Sequence, residues 1–221
     1  MWRLIGLLLL LTSLRAEAHE GDALTLRRLN DAVARFSDDL SLHMQRADLA
    51  RRLNDREVAM QEVLWLSRGP IERPDTAMLI GELYETLGDQ RSALAFLRLA
   101  TELAPWFAPA RLRYAQALAT VSPKASALEF QAAALQSTSP DVWFLCASHC
   151  ASHPSICDAA EWFLLGYVAL GAPALQLSAA QVLVTRGAHA EAKSLIDAAL
   201  AVRPSSKLWR ELRASIEEQS Q

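Results

Sequence analysis

The sequence predicts an all-α fold, a solenoid of stacked helical hairpins, on three observations. Ala59, Ala93 and Ala127 stand 34 residues apart, and other small or turn residues recur with them at that interval, a period typical of stacked helix pairs. Apolar residues make up 52% of the 221 residues and charged ones 21%, while glycine (8) and proline (9) are sparse. Alanine and leucine dominate and β-branched runs are rare, the balance of a helical chain and not of a sheet or a disordered tail. Between the small residues, apolar ones such as Leu79, Leu83, Leu94 and Leu97 fall at helical spacing, which gives each helix a face to bury.

The formal net charge is -3 and no run of like charge occurs, so the chain offers no basic field for nucleic acid and no charged interaction tail. Residues 1–18 read as a cleavable export signal. Arg3 supplies the positive start, Leu4 to Leu11 an apolar stretch, and Ala16-Glu17-Ala18 a small-residue cleavage site. That stretch is far short of the roughly 20 apolar residues that span a bilayer. The expected product is secreted, with the periplasm as its compartment, no membrane insertion after cleavage, and His19 as its first residue.

Residues 19–39 read as an N-terminal capping helix, with Leu26, Leu29, Val33 and Phe36 on one side and Arg27, Arg28 and Asp31 on the other. The repeat array follows over 40–205, in units near 40–73, 74–107, 108–139, 140–172 and 173–205. Twelve residues before the three alanines stand Ala47, Gly81 and Ala115, and seven after them Leu66, Ala100 and Ala134. Two antiparallel helices approach closely only where both present small side chains, which is the expected work of Gly81 against Ala93 and Ala100. Asn54, Gly88 and Gly187 sit where a tight turn requires positive φ, and Pro105, Pro140 and Pro204 are read as ending second helices.

The fourth unit fits if Trp143, Cys146, Ala147, Cys150, Ala159, Phe163 and Gly166 take the equivalent places, giving steps of 34, 34, 32 and 33 residues. Its turn, from His149 to Asp158, carries a proline and several polar residues where a tight connection is expected. Residues 206–221 read as a C-terminal capping helix and tail, opened by Ser206 and carrying Leu208, Trp209, Leu212 and Ile216. Terminal helices with a polar outer face keep a short array soluble.

The pattern resembles the tetratricopeptide repeat family. Ile80-Gly81, Tyr84 and Gly88, with Ala93, Leu97, Ala100 and Pro105, match nearly every place of its signature, and the resemblance spans about Leu40 to Pro204. It implies a right-handed α-solenoid of about five hairpins that binds a protein or peptide and carries no catalysis. It also implies a groove lined by the first helix of each hairpin. Carried onto this chain, the groove places hold Met44, Asp48, Arg51 and Arg52, then Met78, Glu82 and Glu85. They continue with Leu112 and Gln116, Phe144 and Ser148, and Leu177 and Gln181. Apolar anchors with interspersed charges suit an extended or helical peptide; the alternative is a plainly solvated face, with the partner elsewhere. Family members that clamp acidic chaperone tails use lysines and asparagines, and Met44 and Asp48 at the matching places argue against that subtype.

Cys146, His149, Cys150, His153 and Cys157 form the densest unusual segment. Three arrangements compete. Cys150 and Cys157 form a disulfide closing the irregular turn; or all three thiols are buried and free; or Cys150 and Cys157 with His149 and His153 hold zinc or copper. Cys146 and Cys150 lie four apart on one helix, a geometry rarely compatible with a bridge. His19, with its amine and imidazole, is the other candidate ligand in a metal-handling reading; a plain charged start is the alternative. His43 and His189 read as surface or groove-edge histidines. No phosphate-cradling glycine loop, paired zinc-binding histidine motif or serine elbow occurs, so neither a cofactor nor catalysis is expected.

Overall fold

The computed structural model describes residues 21–219, so the expected export signal over 1–18 and His19 lie outside the described residues. Two compact units divide the chain, the first ending at Pro105 and the second beginning at Trp106. No strand occurs among the described residues, and none of their helices is long and apolar enough to cross a membrane.

The first unit holds α1 over residues 21–35, α2 (Leu40–Leu53), α3 (Arg56–Leu66), α4 (Pro74–Leu87) and α5 (Gln90–Leu103). Local residues set their ends. Asp39, Asp55 and Asp89 accept hydrogen bonds from free backbone N–H groups at the starts of α2, α3 and α5. Asn54 (φ 55°) and Gly88 (φ 81°) take the left-handed conformation after α2 and α4. Successive helices from α2 to α5 pack together, and α2 also packs on α4. Ala47, Ala59, Gly81, Ala93 and Ala100 are all buried, as the repeat spacing requires. At Gly81 the approach of α5 is so close that a Cβ would lie 2.6 Å from Leu97 Cγ and 3.1 Å from the Ala93 carbonyl oxygen.

The buried face of this unit is not purely apolar. Glu62 of α3 is fully buried, accepts a hydrogen bond from His43 Nδ1 at 2.8 Å and pairs with the guanidinium of Arg46. His43 Nε2 donates to the Ser37 carbonyl at 3.0 Å, and its ring stacks on Trp65 at 3.6 Å. His43 is thus a core residue tying α2 to α3, and the surface reading of it is corrected. Leu26 and Val33 of α1 are buried and Leu29 is partly so, but Phe36 falls just past the helix and is 63% exposed.

The second unit holds α6 (Ala108–Leu118), α7 (Pro123–Leu135), α8 (Pro140–Ser152), α9 (Ala159–Leu170), α10 (Pro173–Thr185), α11 (His189–Val202) and α12 (Lys207–Gln219). Each packs on the next, and α8, α10 and α12 also touch in series. Pro140 opens α8 instead of ending α7, which has already stopped at Leu135. A proline at the first helical position loses nothing, since its missing N–H has no partner in the first turn.

The irregular fourth hairpin is a true helix pair, α8 and α9. Trp143, Cys146, Ala147, Cys150, Ala159, Phe163 and Gly166 are all buried, and a Cβ on Gly166 would lie 2.9 Å from the Trp143 ring. Its long turn is tied down at both ends. Cys150 is joined to Cys157 with Cα atoms 5.0 Å apart, and Asp158 caps α9 through Ala160 and Glu161. In α12, Trp209 and Ile216 are buried, while Leu208 is exposed.

Candidate functional site

In the first unit the direct packing of α2 on α4 sets the predicted groove residues side by side. Met44 and Met78 are half-buried, and the Thr76 hydroxyl donates to Met44 Sδ at 3.8 Å. The charged places pair mostly with one another. Arg51 donates to Asp48 at 2.7 Å and reaches Glu82 at 3.3 Å, while Arg52 reaches Asp48 at 3.3 Å and Asp22 of α1 at 3.5 Å. Part burial works against the Arg51 charge, but the Asp48 hydrogen bond and the charges of Glu82, Asp48 and Glu85 outweigh it and raise its pKa. Glu82 itself is buried, so it braces α2 against α4 and offers little to a visitor.

A cavity of about 590 Å³ opens on this face, lined by Leu40, Ser41, Met44, Gln45 and Asp48 of α2 with Arg73. The Arg73 side chain is steered by a bidentate pair with Asp75, at 2.6 and 3.1 Å, which holds the Asp75 carboxyl below its ordinary value. Leu40 and Gln45 neighbour Met44 on the same helix, so the helical period could have found them. Arg73 precedes α4 and carries no such signal.

In the second unit Leu112, Phe144 and Leu177 are half-buried and pack into the cores beneath them. Phe144 lies edge-on to Phe163 at 5.3 Å. Gln116 accepts a hydrogen bond from Arg113 at 2.8 Å, and Ser148 and Gln181 are exposed. Gln181 lines a cavity of about 470 Å³ with Ser178, Val182, Thr185, Arg186 and Pro154. Ser178, Val182 and Thr185 are its helical neighbours on α10; Pro154 comes from the disulfide-closed turn.

That turn leaves the alternatives for the cysteines unequal. The Cys150–Cys157 bridge occupies both sulfurs that a metal would need. His149 Nε2 donates to the Pro123 carbonyl at 3.0 Å and His153 Nδ1 to the His149 carbonyl at 3.0 Å. Among the described residues no group of three or more His, Cys, Asp or Glu side chains is placed to hold a metal. Cys146 is buried and free, and burial pushes its thiol up to about 12. A thiol that stays protonated is a packing residue and not a nucleophile.

The tetratricopeptide repeat profile matches residues 74–105, the α4–α5 hairpin. No curated protein sequence matches the chain. Among solved structures, a thermophilic TPR protein of Thermus thermophilus is 17% identical with a TM-score of 0.57, over 77% of this chain and 95% of that one. YrrB, described as a TPR protein with an unusual peptide-binding site, is 16% identical with a TM-score of 0.53, over 77% and 86%. BtubC from P. vanneervenii is 13% identical with a TM-score of 0.53, over 90% of both chains. Identities this low carry the fold alone. The matched repeat at the α4–α5 hairpin and the all-α solenoid fold shared with these structures both support the tetratricopeptide repeat family.

Proposed function

We propose that this chain is a non-catalytic scaffold that holds a peptide or protein segment against its first helices. The observation that carries this reading is that each unit has an open cavity there, one beside Met44 and Asp48 and one beside Gln181. Both set apolar side chains, Leu40 and Met44 in one and Phe163 and Val182 in the other, among charged and hydrogen-bonding groups, a mixture that can seat a peptide. Tetratricopeptide repeat structures as a class serve protein binding, and a structural neighbour is described by its peptide-binding site. The proposed compartment is the cell envelope, on the strength of the leader pattern in residues 1–18.

The test places photo-crosslinking residues at Met44, at Gln181 and at the exposed Met60 of α3, in the full chain expressed in its own host. Adducts with the same partner from Met44 and Gln181, but not from Met60, are expected. In the chain without crosslinkers, Met44→Asp with Gln181→Arg should abolish co-purification of that partner while helicity stays intact. Adducts from Met60 alone, or an unchanged partner yield in the double variant, would move the binding face elsewhere. Intact mass checks the compartment: an exported chain begins at His19, and a chain still beginning at Met1 sinks that part of the reading.

A further inference from the structure

On the second helices of the second unit, α9 and α11 bound a third cavity, of about 820 Å³. Its walls are apolar: Leu164, Leu165 and Val168 from α9 face Leu195 from α11. Val168 is 80% exposed and Leu165 42%. Fold requirements do not explain them, since the core of this hairpin is filled by Phe163 and Gly166 on the other side of α9. One end of the cavity is acidic. Glu161 lies in the first turn of α9 and Glu191 in the first turn of α11, and both line the cavity. Asp158 is there too, already held by Arg186 at 2.7 and 2.8 Å. Among the described residues, three carboxylates stand here against one guanidinium, an excess of negative charge, and no Lys, Arg or His lines the cavity.

We infer that this groove docks an amphipathic helix of a partner protein, with its apolar face between α9 and α11 and a basic residue at the acidic end. The length fits. From Glu161 to Val168 is about 10 Å at 1.5 Å per residue, two turns of a docked helix with anchors at i, i+3, i+4 and i+7. The charge fits as well, because a lysine or arginine beside Glu161 and Glu191 gains attraction that an acidic or neutral end does not. This surface is separate from the first-helix face and stands or falls without it.

The probe is a stapled 14-residue helix with leucines at i, i+3, i+4 and i+7 and two lysines at one end, labelled for anisotropy. Its counterpart carries glutamates in place of the lysines. The lysine peptide is expected to bind the full chain at least about tenfold more tightly than the glutamate peptide. Val168→Glu, at a position exposed enough to leave folding intact, should weaken binding about tenfold or more. Glu161→Lys with Glu191→Lys should reverse the preference between the peptides. Met60→Asp, at an exposed position of α3, should leave binding of both peptides unchanged. Equal binding of both peptides, binding of neither, or indifference to Val168→Glu overturns the inference. So does a dimer in sedimentation that Val168→Glu dissolves, since the occupant would then be a second copy of this chain.

Discussion

Gly81→Ala sets two opposing effects against each other at one atom. Alanine in a helix interior is favoured over glycine by about 1 kcal/mol, because it restricts the unfolded chain and needs no extra ordering. Against this, the new methyl would sit 2.6 Å from Leu97 Cγ, 3.0 Å from Leu97 Cδ2 and 3.1 Å from the Ala93 carbonyl. The nearest atom is a branch point of a fully buried leucine, not the loose end of a surface chain. Relief requires Leu97 to leave its rotamer or α5 to move off α4, and overpacking of this kind costs about 1–3 kcal/mol. With two contacts well inside van der Waals distance, the upper part of that range applies. The net expectation is a loss of about 2 kcal/mol, read by urea unfolding.

A double-mutant cycle makes the reasoning refutable. Leu97→Ala alone costs about 2–5 kcal/mol through lost contacts and the cavity left behind. In that background the methyl of Gly81→Ala enters vacated space, so its effect should vanish or become stabilising by up to about 1 kcal/mol. The two changes are then coupled by about 2–3 kcal/mol. Stabilisation by Gly81→Ala in the parent chain, or a cost that persists unchanged beside Leu97→Ala, would show that the α4–α5 approach does not depend on the missing side chain.

Three further outcomes follow from named contacts. Glu62→Ala strands the Arg46 and His43 side chains in the core and should cost about 3–5 kcal/mol in chemical denaturation; a loss below about 1 kcal/mol would refute the network's role. Asp158, hydrogen-bonded by Arg186, has a pKa lowered from 3.8, so its stabilisation is present above pH 3.8 and is lost as pH falls through the lower folded value; Asp158→Asn should flatten that part of the acid unfolding curve by up to about 1 kcal/mol, the pair being partly exposed, and an unchanged curve refutes it. Cys157→Ser should cost about 2 kcal/mol by freeing the short loop in the unfolded chain, and alkylation with mass measurement of the native, unreduced protein should find no reactive thiol, whereas labelling at Cys150 or Cys157 would rule out the bridge.

The fold was legible because its determinants are local and repeat in register. An alanine where two helices cross has the same job in every hairpin, so Ala59, Ala93 and Ala127 announce the period and all three are buried. Asn54, Gly88 and Gly187 announce turns for the same reason, and each has positive φ. Contacts between elements broke the rules of pattern. Glu62 looks like a surface glutamate within α3, and only the arrival of His43 and Arg46 from α2 makes its burial tolerable. Phe36 fits the apolar stripe of α1 by spacing, yet the helix has ended by then. Glu82 sits at a groove place by register and is drawn inward by Arg51.

The charges also separate the two candidate binding faces by physics that register alone does not reveal. On the first-helix face of the first unit, Asp48, Glu82 and Asp22 already meet Arg51 and Arg52. A visiting charge there must displace an existing pair, so net attraction is small and recognition falls to Met44, Leu40 and the hydrogen-bonding groups around them. At the α9–α11 groove the balance is reversed, because Glu161 and Glu191 add to a pair that Asp158 and Arg186 already complete. Their attraction for a cation is open to screening, with a Debye length near 10 Å at about 0.1 M salt and about 3 Å at 1 M. Capture on the first-helix face should therefore be nearly indifferent to salt, while docking on the second helices weakens several-fold over the same range. The opposite ordering would mean that the paired arginines are released on binding, and that the first-helix face recognises charge after all.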